Sequence, residues 1–135
     1  MRAFLALPSN HRLARQKRVD LSQLNGEAFV SYTARTRLRD LQLEVLREHA
    51  PFARPTLAAD SAEAILGFVA AGLGFSLVPS LEPRGPRIPG VAISTLPRER
   101  SSFPMYAAFR RSQQAHPLFL ALLSLAPSPR GDPGV

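Results

Sequence analysis

Apolar positions along the chain follow two rhythms, one short and continuous, the other recurring every three or four residues. Ala3-Phe4-Leu5-Ala6-Leu7 is an unbroken apolar run closed by Pro8-Ser9-Asn10, which suits a buried strand ended by turn formers. Asp20 to Leu24 is long enough for one helical turn with Asp20 as its cap, and Ala28, Phe29, Val30 and Tyr32 read as a second strand. The polar turn Thr33-Ala34-Arg35-Thr36 leads into a helix. Its stripe is Leu38, Leu41, Val45 and Leu46, it ends near Ala50-Pro51, and it leaves Arg39, Asp40, Arg47 and Glu48 to water. Arg54 to Ala59 reads as a strand that delivers the chain to Asp60.

The most informative stretch is Asp60 to Pro79, DSAEAILGFVAAGLGFSLVP. Asp60 or Ser61 can cap a helix, with Glu63 placed to close a capping box with Asp60. Ala62, Ile65, Leu66, Val69 and Leu73 then gather on one face. Gly72 offers a left-handed helix terminus, and Gly74 permits a close backbone approach. Phe75-Ser76-Leu77-Val78 reads as a covered strand whose ladder Pro79 stops. The prolines and glycines between Leu81 and Gly90 predict a surface loop. Val91 to Leu96 and Met105 to Phe109 predict strands, and His116-Pro117 to Ala126 predicts a helix apolar around much of its circumference. The Pro- and Gly-rich tail, 127–135, predicts disorder. Strands alternating with helices predict an α/β layer fold.

Composition narrows this picture without redirecting it. At 135 residues the chain is one domain's worth. Without cysteine it has neither disulfides nor thiolate ligands. Pro8 and Asn10 interrupt the apolar start too early for a secretory signal, no stretch has the length to span a bilayer, and the cytoplasm is the default location. A formal charge of +7 and a pI near 11.4 invite a nucleic-acid reading. The basic residues are scattered, however. Only Arg12, Arg15, Lys17 and Arg18 cluster, as a solvated connector would, with no helix-turn-helix, zinc-finger spacing or aromatic RNA-binding strand beside them.

The chemistry of catalysis is missing. His11, His49 and His116 have no partner at metal-ligand spacing. Gly72-x-Gly74 closes a helix and opens a strand, the reverse of a phosphate loop. There is no nucleophile elbow and no Walker lysine. Asp40, Glu44 and Glu48, interleaved with arginines, form a solvated helix face. The expectation is a binding module with no catalytic residue, no metal and no cofactor.

The string Val69-Ala70-Ala71-Gly72-Leu73-Gly74, followed by Leu77-Val78-Pro79, resembles the signature of the effector-binding domain of LysR-type transcriptional regulators. The flanks agree: Ala6-Leu7-Pro8 with His11 to Ala14, Gly26 to Val30, and Pro104-Met105-Tyr106 to Arg110-Arg111 resemble neighbouring parts of that domain, so the likeness covers about positions 4 to 125. It implies a type 2 periplasmic-binding-protein-like α/β fold, in which two subdomains joined by crossover strands hold a small molecule in the cleft between them. By this resemblance the chain is an N-terminally truncated form. Its crossover strands run over about 3–7 and 105–110, its second subdomain over about 8–103, and its helix 116–126 belongs to an otherwise absent first subdomain.

The resemblance also implies a function and a site. The chain would sense a small-molecule effector, a carboxylate being the candidate group, and would reach DNA only through a helix-turn-helix it does not carry. Its protein partner would be a second copy or a full-length regulator. Clefts of this kind lie beyond the carboxyl ends of strands, where helix N-termini aim N–H groups at anions. The expected ligand-binding residues are therefore Thr33 and Ala34 in the turn after the second strand, Asp60 and Ser61 at the start of the glycine-ended helix, and Pro79. Thr33 and Ser61 are expected to donate hydroxyl hydrogen bonds, or else only to cap helices. The competing readings are a solute-binding or enzymatic module on the same cleft fold, and a non-functional gene fragment.

Overall fold

The computed structural model describes residues 1–96, Arg110 and residues 116–125. The elements run β1 (Arg2–Pro8), a 3-10 turn (Leu21–Leu24), β2 (Ala28–Tyr32), α1 (Arg37–His49), β3 (Arg54–Ala59), α2 (Ala62–Ala70), β4 (Ser76–Ser80), β5 (Val91–Thr95) and α3 (Pro117–Ser124). The expected strand Met105–Phe109 and the tail 127–135 lie outside the described residues. The chain divides into two compact units, Met1–Pro104 and Met105–Val135.

In the first unit β1 is the middle strand of an antiparallel sheet of order β4-β1-β5, with Arg2–Ala6 paired to β4 and Phe4–Pro8 paired to β5. It is thus an integral sheet strand and extends one residue past Leu7 at Pro8. β2 and β3 pair in parallel, and one parallel bridge, Phe29 with Phe75, joins the two sheets. β2, β3, β4 and β5 therefore run the same way, and their carboxyl ends share one edge with the start of β1.

Side chains alternate across this layer as strand geometry requires. On one face Leu5, Leu7, Phe29, Phe75 and Leu77 pack with Leu24 and with Leu46 of α1. On the other, Ala6, Val30, Tyr32 and Val78 pack with Ile65, Leu66 and Val69 of α2. Phe29 and Phe75 meet edge to face, centroids 5.1 Å apart, beside the bridge that their backbones form.

Local chemistry sets the boundaries. Asp20 caps the 3-10 turn, accepting from Ser22 N, and Thr36 caps α1, accepting from Arg39 N at 3.2 Å. For α2 the cap is Ser61, accepting from Ala64 N at 3.2 Å; Asp60 is not the cap, because its carboxylate is bonded elsewhere, and Leu73 lies past the helix, half exposed. Gly72, at φ 79°, takes the left-handed position, with Gly72 N donating to Val69 O and Leu73 N to Phe68 O. Gly74, at φ 146°, lies so close to β2 that a Cβ there would meet Ala28 O at 2.5 Å.

Pro79 does not stop a strand. It lies inside β4 opposite Ala3. A proline is tolerated in a ladder where its missing N–H faces away from the paired neighbour, and the last residues of β4 are paired only to β1. At the opposite side of the layer β3 is exposed from Arg54 to Ala58, and its outer edge has no strand partner among the described residues. That edge carries Arg54 and Pro55, and the register with β2 skips Thr56, a bulge.

In the second unit α3 starts at the His116 cap with Pro117 in its first turn. It leaves Leu118, Leu120, Leu122, Leu123 and Leu125 exposed.

Candidate functional site

The strand-end edge is where the polar residues converge. β2 ends in Tyr32 and β3 in Ala59, and Thr33 N donates to Ala59 O at 3.0 Å, so the parallel pairing continues one step past the strands. This brings the Thr33 hydroxyl against the next residue of the other strand: Thr33 Oγ1 donates to Asp60 Oδ1 at 2.7 Å. Ala34 and Arg35 follow, both exposed, with Arg35 in the left-handed region at φ 72°. Thr36 Oγ1 donates back to Thr33 O at 3.1 Å while capping α1, which closes the turn.

Two helix N-termini open on this edge, since α1 follows β2 and α2 follows β3. Each is capped once by its own hydroxyl, Thr36 or Ser61. The N–H groups of Arg37, Leu38, Ala62 and Glu63 have no partner among the described residues, as first-turn amides do unless a ligand or water meets them. Ser61 Oγ accepts from Ala64 N, which leaves its hydrogen available to donate. The site residues named from the sequence thus fall into two groups. Thr33, Ala34, Asp60 and Ser61 are brought side by side, whereas Pro79 lies at the same edge but within β4, half-buried and opposite Ala3.

Behind the edge is a buried polar network that the sequence reading missed. Gln42 of α1 is 1% exposed. Its Oε1 accepts from Tyr32 N at 2.9 Å, and its Nε2 donates to Leu77 O at 2.8 Å and lies 3.4 Å from Ser76 Oγ. Ser76 Oγ donates to Val30 O at 2.7 Å. The available signal was position: Leu38, Gln42 and Leu46 succeed one another at four-residue steps, so Gln42 stands in the apolar stripe. Tyr32 is also buried, which raises the pKa of its phenol, and the nearby Glu63 carboxylate raises it further.

Of the other groups weighed from the sequence, His11 and Arg12 serve the structure. His11 Nε2 lies 2.8 Å from Glu27 Oε2, and Arg12 reaches Glu27 Oε1 at 2.8 Å and the Gln23 carbonyl, which ties the basic connector to the start of β2. Among the described residues no cluster of His, Cys, Asp or Glu could hold a metal, and no helix is long and apolar enough to cross a membrane. A shallow depression of about 510 Å³, lined by Arg84, Arg87, Ile88, Val91 and Ile93 among others, borders the starting half of β5, away from the strand-end edge.

Comparison with known proteins gives a family and a set of folds. The family model for the LysR substrate binding domain matches residues 1–127. Among solved structures, HinK, a LysR family transcriptional regulator from Pseudomonas aeruginosa, is 24% identical with a TM-score of 0.56, over 70% of this chain and 32% of its own. The CcmR regulatory domain of Synechocystis PCC6803, solved with 2-PG, is 24% identical with a TM-score of 0.57, over 68% of this chain and 45% of its own. The BenM effector binding domain, solved with its effector benzoate, is 24% identical with a TM-score of 0.56, over 70% of this chain and 44% of its own. The chain thus spans a third to just under half the length of these structures. A search of curated proteins finds no match.

Proposed function

This chain belongs to the LysR substrate-binding domain family, with its type 2 periplasmic-binding-protein-like α/β fold, and we propose that it senses a small organic anion at the edge formed by Thr33, Ala34, Asp60 and Ser61. The observation that carries this is the convergence at one sheet edge of two helix N-termini, whose first-turn amides have no partner among the described residues, with the hydroxyls of Thr33 and Ser61. Amides of this kind favour a carboxylate or phosphate. CcmR with 2-PG and BenM with benzoate are relatives of the same fold with small ligands bound, and benzoate is a carboxylate. Ser61 donates its free hydroxyl hydrogen to the ligand, and Thr33 does so by turning from Asp60. Pro79 borders the site through the β4 end and contributes shape rather than a hydrogen bond. The role is regulatory and not catalytic. Specific operator binding belongs to a helix-turn-helix outside these 135 residues, reached in the cytoplasm through a full-length regulator, while a second copy is the other protein partner.

A thermal-shift screen with benzoate and other small carboxylates tests the reading. At least one compound raises the melting temperature of the parent chain, and Thr33→Val and Ser61→Ala each reduce that rise. No shift with any compound, or shifts that both variants leave intact, would remove the assignment.

A further inference from the structure

We infer that Gln42 is a positioning residue of this edge: its carboxamide replaces one rung of the ladder between β2 and β4 and so sets how far apart their carboxyl ends stand. The inference deepens the functional reading, because the β2 end carries Thr33 and Ala34, and the β4 end carries Pro79 and Ser80.

The rung can be read from the bonds. At the bridge, Phe75 N donates to Ala28 O at 3.0 Å and Val30 N donates to Phe75 O at 2.9 Å. A parallel ladder repeats this pattern two residues on, as Leu77 N to Val30 O and Tyr32 N to Leu77 O. Both of the acceptors and one of the donors in that next step are instead occupied by side chains. Tyr32 N meets Gln42 Oε1, Leu77 O meets Gln42 Nε2, and Val30 O meets Ser76 Oγ.

The carboxamide is suited to this place because it presents one acceptor and two donors in a plane, so it can be inserted between an N–H and a C=O and satisfy both. The β2–β4 pairing accordingly stops at a single bridge, and the two strands belong to separate sheets. Gln42 is anchored from α1, whose first turn forms part of the edge, so one side chain fixes the helix, the β2 end and the β4 end together. None of the three groups that face the carboxamide, a backbone N–H, a carbonyl and a serine hydroxyl, titrates.

The test is a proton–nitrogen NMR comparison of the full chain with Gln42→Glu and Gln42→Leu, with no ligand added. A carboxylate accepts from Tyr32 N but has no hydrogen for Leu77 O; a carboxylic acid has both. Gln42→Glu at high pH is expected to shift the amide signals of Thr33, Ala34 and Asp60, and Gln42→Leu, which removes the acceptor, is expected to speed exchange of the Tyr32 amide by ~10-fold, the worth of about one hydrogen bond. On acidification the signals of the glutamate variant return toward the parent positions. Gln42→Leu, which cannot be rescued by protonation, shows the shifts at every pH and carries the test if the glutamate variant does not fold. Signals of Thr33, Ala34 and Asp60 that coincide with the parent in both variants would overturn the inference. So would a glutamate variant whose shifts ignore pH. A failed carboxylate screen alongside these NMR shifts would instead remove the ligand and leave the positioning intact.

Discussion

At Gly74 a hydrogen in place of a side chain decides how closely the chain leaving α2 can approach β2. A methyl group there would lie 2.5 Å from the Ala28 carbonyl oxygen, and the backbone is at φ 146°, a conformation side chains rarely adopt. Gly72 shares only the second problem, since nothing lies within 4 Å of its missing Cβ. Urea unfolding should therefore separate them, with Gly72→Ala costing about 1 kcal/mol and Gly74→Ala roughly 3 kcal/mol or more. Equal costs would contradict the close approach. Tyr32 supplies a pH dependence. Burial and Glu63 raise its phenol pKa in the folded chain. Its contribution to stability is thus fully present below the ordinary tyrosine value of about 10 and is lost as pH rises from there through the folded pKa. Melting followed from neutral to strongly alkaline pH should show that loss, and Tyr32→Phe should flatten it.

The capped helices argue at the next scale, where one side chain serves an element. Removing the α2 cap with Ser61→Ala should cost ~1 kcal/mol, and Ser61→Asp should keep most of that because a carboxylate also caps. If Ser61 is only a cap, a carboxylate ligand is indifferent to the aspartate variant. If it meets the ligand, Ser61→Asp melts close to the parent while losing the ligand-induced thermal shift. Elements were the most legible feature of the sequence, since β2 and β3 read as short strand runs, α1 as an apolar stripe after a polar turn and α2 as a stripe behind a cap, and the structure gives them nearly the same limits. Pairings were not legible. Pro79 reads as a stop because the side of the strand its nitrogen faces is a tertiary fact. The place of Gln42 in the apolar stripe hints at burial, but no local rule reveals a missing rung between strands that lie far apart in sequence. The Thr33 to Asp60 bond has the same origin: neighbouring parallel strands bring those residues together, and nothing near either one in the chain foretells it.

For the molecule as a whole, five exposed leucines on an eight-residue helix and its C-cap are a larger apolar surface than a solvated helix usually shows. The purified chain should bind a hydrophobic dye and elute earlier in gel filtration as its concentration rises. Leu118→Glu with Leu122→Glu should weaken both effects. A monodisperse parent that leaves the dye dark would count against any adhesive role for α3. The kind of aggregate is a separate matter, and β3 governs it. A kinked outer strand bearing an arginine and a proline is a poor template for a neighbour's backbone, so crowded molecules should clump into shapeless, native-like particles that thioflavin does not stain. Pro55→Val would restore a hydrogen to that rim, and the same solutions should then drift toward stained fibrils.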